Sequence, residues 1–187
     1  MTKYEQECYL LSEQIRQHLN KIFMHRGISN FSAIPATSGI DVNQVNAAMK
    51  LAKIAHKGQV DKGGVDYIYH PLCVGSAFQD PLRRSVGFLH DTLEDTNVTA
   101  DYLRKKGFDP RIIDAVVLLT RARQDDYFDY IHRVSRNPYA ADIKLADLFH
   151  NSRADRLHNV TVIDVQRMQK YLEAIRVLGY LAWGCEK

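Results

Sequence analysis

The chain has 187 residues, a formal charge of +3 and a pI near 8.7, with nearly half its residues apolar and a quarter charged. That length suits one domain able to bury about 70% of its unfolded surface, and the composition excludes a disordered chain. Basic residues are scattered with no long run, which argues against nucleic acid as the main partner and fits a small anionic substrate.

Cys8, Cys73 and Cys185 are far apart and odd in number, so neither a disulfide framework nor a zinc knot is expected. No run approaches eighteen apolar residues and no signal-peptide pattern opens the chain. The expectation is a cytoplasmic protein without a membrane span.

Apolar residues recur at intervals of three and four, which predicts an all-α fold. The first helix is expected over 4–26, with Leu10, Leu11, Ile15, Leu19, Ile22 and Phe23 as its stripe. Residues 27–39, rich in Ser, Gly and Pro, read as a linker, dividing an N-terminal extension over 1–40 from a main unit over 41–187. Asp41 should cap a helix reaching Lys57 and burying Val45, Ala48, Leu51, Ala52 and Ala55. A glycine-rich loop follows over 57–64, and His70-Pro71 opens a helix to about Phe78. One helix is expected over 84–94. Asp109-Pro110 and Asn137-Pro138 start helices to about Arg121 and Ser152, with a shorter one over 126–136 between them. The last, over 165–183, carries Val165, Met168, Leu172, Ile175 and Leu178 on one face.

Residues 87–96, "GFLHDTLEDT", pack a histidine and three carboxylates into six positions. A bare His-Asp pair means little, since eight histidines and sixteen aspartates would give about 0.7 such pairs by chance. On a continuous helix, however, His90 faces Glu94, and Asp91 faces Glu94 and Asp95. Glu94 is also the only glutamate between Glu13 and Glu173. Asp147 and Asn151, in "KLADLFHN", lie four apart in an apolar setting, where a carboxylate needs a partner or a cation. His70 supplies the third element.

Singly, each has an ordinary explanation: His70 or His90 as a satisfied core histidine, Asp147 as the partner of Arg153 or Lys144. Together, His70, His90, Asp91 and Asp147 make a mixed N/O set suited to Mn²⁺, Fe²⁺ or another first-row divalent ion. About two octahedral positions would stay open, as in a catalytic site. His18, His25, His132 and His158 read as surface or helix-face groups, and His56 and His150 as outer-shell groups at most. No P-loop, Gly-x-Gly-x-x-Gly or Gly-x-Ser-x-Gly is present.

Three segments, "AHKGQVDKGGVDYIYHPLCV", "GFLHDTLEDT" and "IKLADLFHN", stand in an order that resembles the HD phosphohydrolase superfamily. The closer likeness is to the hydrolase domain of RelA/SpoT alarmone enzymes and their small stand-alone relatives, over about residues 47–153. The resemblance implies an HD-type helical bundle with a metal site between helices. It further implies Mn²⁺-dependent removal of the 3′-diphosphate from guanosine 5′-di- or triphosphate 3′-diphosphate. Carried over by position, His70, His90, Asp91 and Asp147 would hold the metal, and Glu94 and Asp95 would position and activate water. Lys62 and Asn151 would contact the nucleotide, with Arg121 and Arg123 as further basic contacts.

The departures lie beside that set. Asp61 stands where relatives have an arginine that stacks on guanine, and a carboxylate cannot replace a planar cation. Leu148 and Ala154 replace arginine and threonine. The competing readings are therefore a hydrolase of another phosphorylated nucleotide or small phosphoester, a non-catalytic binding module using the C-terminal helix, and nucleic-acid cleavage. The sequence leaves oligomerisation open.

Overall fold

Capping residues fix where most helices begin. In the computed structural model, which describes residues 1–153 and 160–185, Thr2 and Glu5 exchange backbone-to-side-chain bonds and open α1, Lys3–His25. Asp41 caps α2, Val42–Ala55, and Asp80 caps α4, Pro81–Leu89, after α3, Tyr69–Ser76. Asp109, Asp126 and Asn137 cap α7, Pro110–Leu119, α8, Tyr127–Val134, and α9, Pro138–Asn151. Thr161 and Asp164 form a capping box on α10, Val162–Trp183. Among the described residues there is no strand beyond one isolated antiparallel bridge, Val60 with Asp66, and no helix is long and apolar enough to cross a membrane.

Four expectations are corrected. The helix expected over 84–94 is two: α4 ends at Leu89, and α5, Thr92–Asp95, begins beyond a break at His90 and Asp91. At the break Asp91 has ψ −4° and Thr92 Oγ1 donates to Leu89 O at 2.6 Å, a local side-chain bond of the kind that competes with the helical ladder. A short helix not foreseen, α6, Ala100–Lys105, starts at Thr99, whose side chain accepts from Tyr102 N. The stretch 27–39 is packed: Phe31, in a 3₁₀ turn over Phe31–Ala33, meets Phe23 and Phe78 at centroid distances of 4.9 and 5.2 Å, and Ile34 is buried. In α1 the buried row runs through Cys8, Leu11, Ile15, Leu19 and Ile22, leaving Leu10 62% exposed because it lies about 100° around the helix from Leu11.

Two helices form the centre. Seven of the eight residues from Leu82 to Leu89, all but Arg84, are buried and make α4 buried nearly all round, and α9 buries Ala140 to Leu148 apart from Lys144. A helix apolar on every face belongs in the middle of a core, and α4 accordingly packs against α2, α3, α7 and α9. The N-terminal helix lies along α10 in the same sense, since His18 meets Arg176 and Ile22 covers Gly179. Its side chains join the same apolar core.

Two contacts set the central spacing. A Cβ on Gly87 would lie 2.6 Å from Gly75 Cα, and one on Gly75 would lie 2.3 Å from the Phe88 ring. The α3 and α4 backbones therefore touch. Asp142, fully buried on α9, accepts from Arg26 at 2.6 Å and from Arg83 at 2.7 Å, and Arg83 also reaches Asp80 at 3.2 Å. Trp183 and Tyr139 lie under Arg26 and Arg83 at 4.4 and 4.7 Å.

Two outcomes follow for stability. Gly87→Ala should lower it by about 1–3 kcal/mol, through forced separation of α3 and α4, read as a drop of several degrees in thermal midpoint. Asp142→Ala strands Arg26 and leaves Arg83 with Asp80 alone, and should cost about 3–5 kcal/mol by denaturant titration, whereas substitution of the exposed Asp101 should leave the midpoint unchanged.

Candidate metal centre

His70 comes from the first turn of α3, His90 and Asp91 from the break after α4, and Asp147 from α9. The break matters because successive residues on a continuous helix point about 100° apart. With it, both His90 Nε2 and Asp91 Oδ2 turn to one point, 3.1 Å from each other. The two imidazole Nε2 atoms are 3.2 Å apart. Asp147 Oδ1 lies 3.1 Å from His70 Nε2 and 3.9 Å from His90 Nε2, and Asp91 Oδ2 lies 3.6 Å from His70 Nε2. His70, His90 and Asp147 are all buried, with one ligand atom from each within 4.8 Å of the others. Donors bound at about 2.1 Å in an octahedral shell are about 3 Å apart when adjacent and about 4.2 Å when opposite. The observed spacings fall in that range.

The outer contacts orient these groups. His90 Nδ1 meets Gly87 O at 2.8 Å; a carbonyl only accepts, so Nδ1 carries the proton and the Nε2 lone pair faces inward. His70 Nδ1 meets His150 Nδ1 at 2.7 Å. Tyr67 donates to Asp91 Oδ2 at 2.6 Å, and Lys144 and Asn151 donate to the two oxygens of Asp147 at 2.7 and 2.6 Å. Two imidazole nitrogens and two carboxylates crowded together need a proton or a cation between them. A divalent ion fits this donor set, as two imidazoles and two carboxylates are what a first-row ion takes.

The electrostatics agree. Burial would raise Asp147, yet Lys144 and the imidazoles hold it well below the usual carboxylate range. Burial would lower His90, and the adjacent Asp91 carboxylate carries it up instead. At the mouth, Glu94 and Asp95 are raised, chiefly by burial and further by Asp91. Glu94 Oε2 accepts from the Arg121 amide at 3.0 Å, and Asp95 Oδ2 lies 3.4 Å from the Tyr67 hydroxyl.

Among the described residues, three clefts lie beside the cluster. One of about 320 Å³ is walled by Val60, Lys62, Tyr67, Asn151, Arg167 and Tyr171. One of about 220 Å³ contains Arg121, Glu94, Lys144, Asp147 and Asn151. Arg123 lines a third, beside Glu94 and Asp95. Thus Lys62 and Asn151 share one cleft, Arg121 flanks another, and Arg123 stands apart from both. Asp61 turns one oxygen onto the Gly63 and Val65 amides at 2.8 and 3.0 Å, shaping the loop that presents Lys62. Leu148 is buried against the second cleft. His150 stands behind His70 as an outer-shell group, as expected. Tyr67, Arg167 and Tyr171 were not among the expected contacts; a helical spacing of four between Arg167 and Tyr171 was the available signal. His25 and His132 are exposed, and His18 is held by Arg176. His158 and Ala154 lie outside the described residues.

No known protein-family model matches the chain. A solved structure does: a metazoan ortholog of SpoT, described as hydrolysing ppGpp and acting in starvation responses, superposes with a TM-score of 0.62 over 79% of this chain and 92% of that one, at 17% identity. The fold is that of the metazoan SpoT ortholog. In sequence the chain is 32% identical over 127 residues to the GTP pyrophosphokinase of Streptomyces coelicolor, covering 62% of this chain and 15% of that protein. It is 31% identical over 129 residues to the guanosine-3′,5′-bis(diphosphate) 3′-pyrophosphohydrolase of Borreliella burgdorferi, covering 62% and 18%. To the bifunctional (p)ppGpp synthase/hydrolase RelA of Mycobacterium tuberculosis it is 28% identical over 154 residues, covering 76% and 20%. The chain therefore spans about a fifth or less of the length of these curated relatives.

If the cluster holds a metal, His90→Ala and Asp147→Ala should each purify without it by elemental analysis. Tyr67→Phe, which removes only an outer bond, should retain metal with affinity reduced about 10–100-fold.

Proposed function

We propose that this chain is a divalent-metal-dependent phosphohydrolase that removes the 3′-diphosphate of guanosine 5′-di- or triphosphate 3′-diphosphate, releasing pyrophosphate. The supporting observation is the convergence of His70, His90, Asp91 and Asp147 with two raised carboxylates, Glu94 and Asp95, at its mouth. The names of the curated relatives and of the solved structure agree with this reading.

In this reading His70, His90, Asp91 and Asp147 would hold the ion, with Mn²⁺ the expected one. When bound, it supplies positive charge against the negative charge developing on the phosphoryl oxygens. Glu94 is fixed by the Arg121 amide and Asp95 by Tyr67, so both can hold a water molecule. A carboxylate with a raised pKa is a better general base. The water oxygen bonds to phosphorus as one of its protons passes to the carboxylate, the P–O bond to the 3′ oxygen breaks, and the departing oxygen takes up a proton returned from the carboxylate through solvent to become the ribose hydroxyl. Lys62, Asn151, Arg121 and Arg123 bring charge and hydrogen bonds to the nucleotide, a small anionic substrate.

A second reading, hydrolysis of another phosphorylated nucleotide, is favoured by Asp61. Its carboxylate lines the cleft expected to take the base, and no arginine is available at that position for stacking.

Purified protein loaded with Mn²⁺ should release pyrophosphate from the alarmone and leave 5′-di- and triphosphates intact; release only from other nucleotides would select the second reading. Glu94→Ala should keep its metal and lower kcat by about 10²–10⁴-fold. Loss of metal from that variant would show the ligand and base roles to be exchanged.

A further inference from the structure

The 220 Å³ cleft between α8, α9 and α10 opens from Asp147 on the side away from the 57–66 loop. Four cations border it, Arg121, Lys144, Arg167 and Lys170, against the carboxylates of Glu94 and Asp147. Asp147 is already balanced by Lys144 and Arg167 pairs with Asp164 at 2.7 Å, while Glu94 is engaged by a backbone amide, so Arg121 and Lys170 supply the excess positive charge. Lys170 and Arg121 rest on the Tyr127 ring, at 4.6 and 5.8 Å from its centroid, which holds both cations at the wall.

Two polar atoms in this wall are buried without a partner among the described residues, the Tyr127 hydroxyl and Arg167 Nε. Buried polar atoms are paired in most proteins, and an unpaired donor calls for an acceptor the chain does not supply. Here two unpaired donors and an excess of positive charge meet in one cavity, beside the buried histidine and carboxylate cluster.

The cavity is smaller than the roughly 300–1,000 Å³ of sites that enclose a whole small molecule. It suits a fragment. Its neighbour of about 320 Å³ shares the Asn151, Arg167 and Tyr171 wall and adds the flexible reach of Lys62 with the apolar surface of Val60 and Tyr67. A nucleoside fits that neighbour, and the cluster stands between the two, with Asp147 in one wall and Tyr67, bonded to Asp91, in the other.

We propose that the cleft between α8, α9 and α10 is a subsite for the distal phosphoryl group of the diphosphate, and that Lys170 and Tyr127 make the site select a diphosphate over a monophosphate. This rests on the phosphohydrolase reading for its catalytic consequence, but the subsite itself is a binding property. It requires inorganic pyrophosphate to occupy the cleft in the absence of turnover.

The test uses inorganic pyrophosphate and orthophosphate as probes of metal-free protein in chelator at fixed ionic strength, read by thermal shift and calorimetry. Pyrophosphate should bind more tightly than orthophosphate. Lys170→Ala and Tyr127→Phe should each weaken pyrophosphate by about tenfold, and Lys170→Arg should restore most of the loss. Equal binding of the two anions, or pyrophosphate binding unaffected by both substitutions, overturns the proposal. With metal present, Lys170→Ala should raise KM for a 3′-diphosphate substrate and leave KM for its 3′-monophosphate counterpart alone. An equal rise for both, or a rise that follows the number of 5′-phosphates, also overturns it. Should pyrophosphate bind as expected while no 3′-diphosphate is cleaved, the subsite stands and the phosphohydrolase reading falls.

Discussion

Two imidazole nitrogens and two carboxylate oxygens held within 3.1–3.9 Å of their neighbours form an arrangement that a protein cannot leave uncompensated. The surrounding fold can be understood as the means of holding that arrangement. His70 and His90 can meet only because α3 and α4 touch through Gly75 and Gly87. His90 and Asp91 can face the same point only because the helix breaks between them and Glu94. Asp147 stays ionised in a buried position because Lys144 lies one turn before it on the same helix and Asn151 one turn after.

The second buried charge network serves the same geometry from further away. Arg83 lies seven residues before His90, and Asp142 five before Asp147, so their bond ties α4 to α9 upstream of both ligand positions. Arg26 brings the end of α1 to the same carboxylate, with Trp183 of α10 beneath it. Removal of one partner from a buried ion network is costly, whereas the intact network adds more to specificity than to net stability. The N-terminal helix is thereby coupled to the centre of the bundle as well as to α10.

Around the cluster, charge and apolar surface are partitioned. The loop between α2 and α3 contributes Val60, Lys62 and Tyr67 on one side, and α8 with α10 contributes tyrosines and cations on the other. The third side carries Glu94, Asp95 and Arg123. This layout gives a polyanionic nucleotide two kinds of wall at once, one able to cover a ring and one able to neutralise phosphate. Asp61 fits the first wall by turning toward backbone amides of its own loop, which explains how a carboxylate is tolerated there.

Much of the local structure was legible because helix caps and periodic apolar positions act over a few residues: Asp41, Asp109, Asp126 and Asn137 marked helix starts directly. The short α6 was missed because six residues give too little periodicity to separate from a loop. The polar residues of the centre were also visible, since four ionisable groups in an apolar setting have few explanations. The sequence by itself determined an all-α bundle, its main caps, and the membership of His70, His90, Asp91 and Asp147 in one polar set. Only the tertiary structure decided the break at His90, the contact of Gly75 with Gly87, the packing of Phe31 into the core, and the joining of Tyr127 to α10 residues in one cavity. The break turns on one local side-chain bond, Thr92 to Leu89, that apolar periodicity does not report; the others depend on residues far apart in the chain meeting at van der Waals or hydrogen-bonding distance, about which short-range periodicity carries no information.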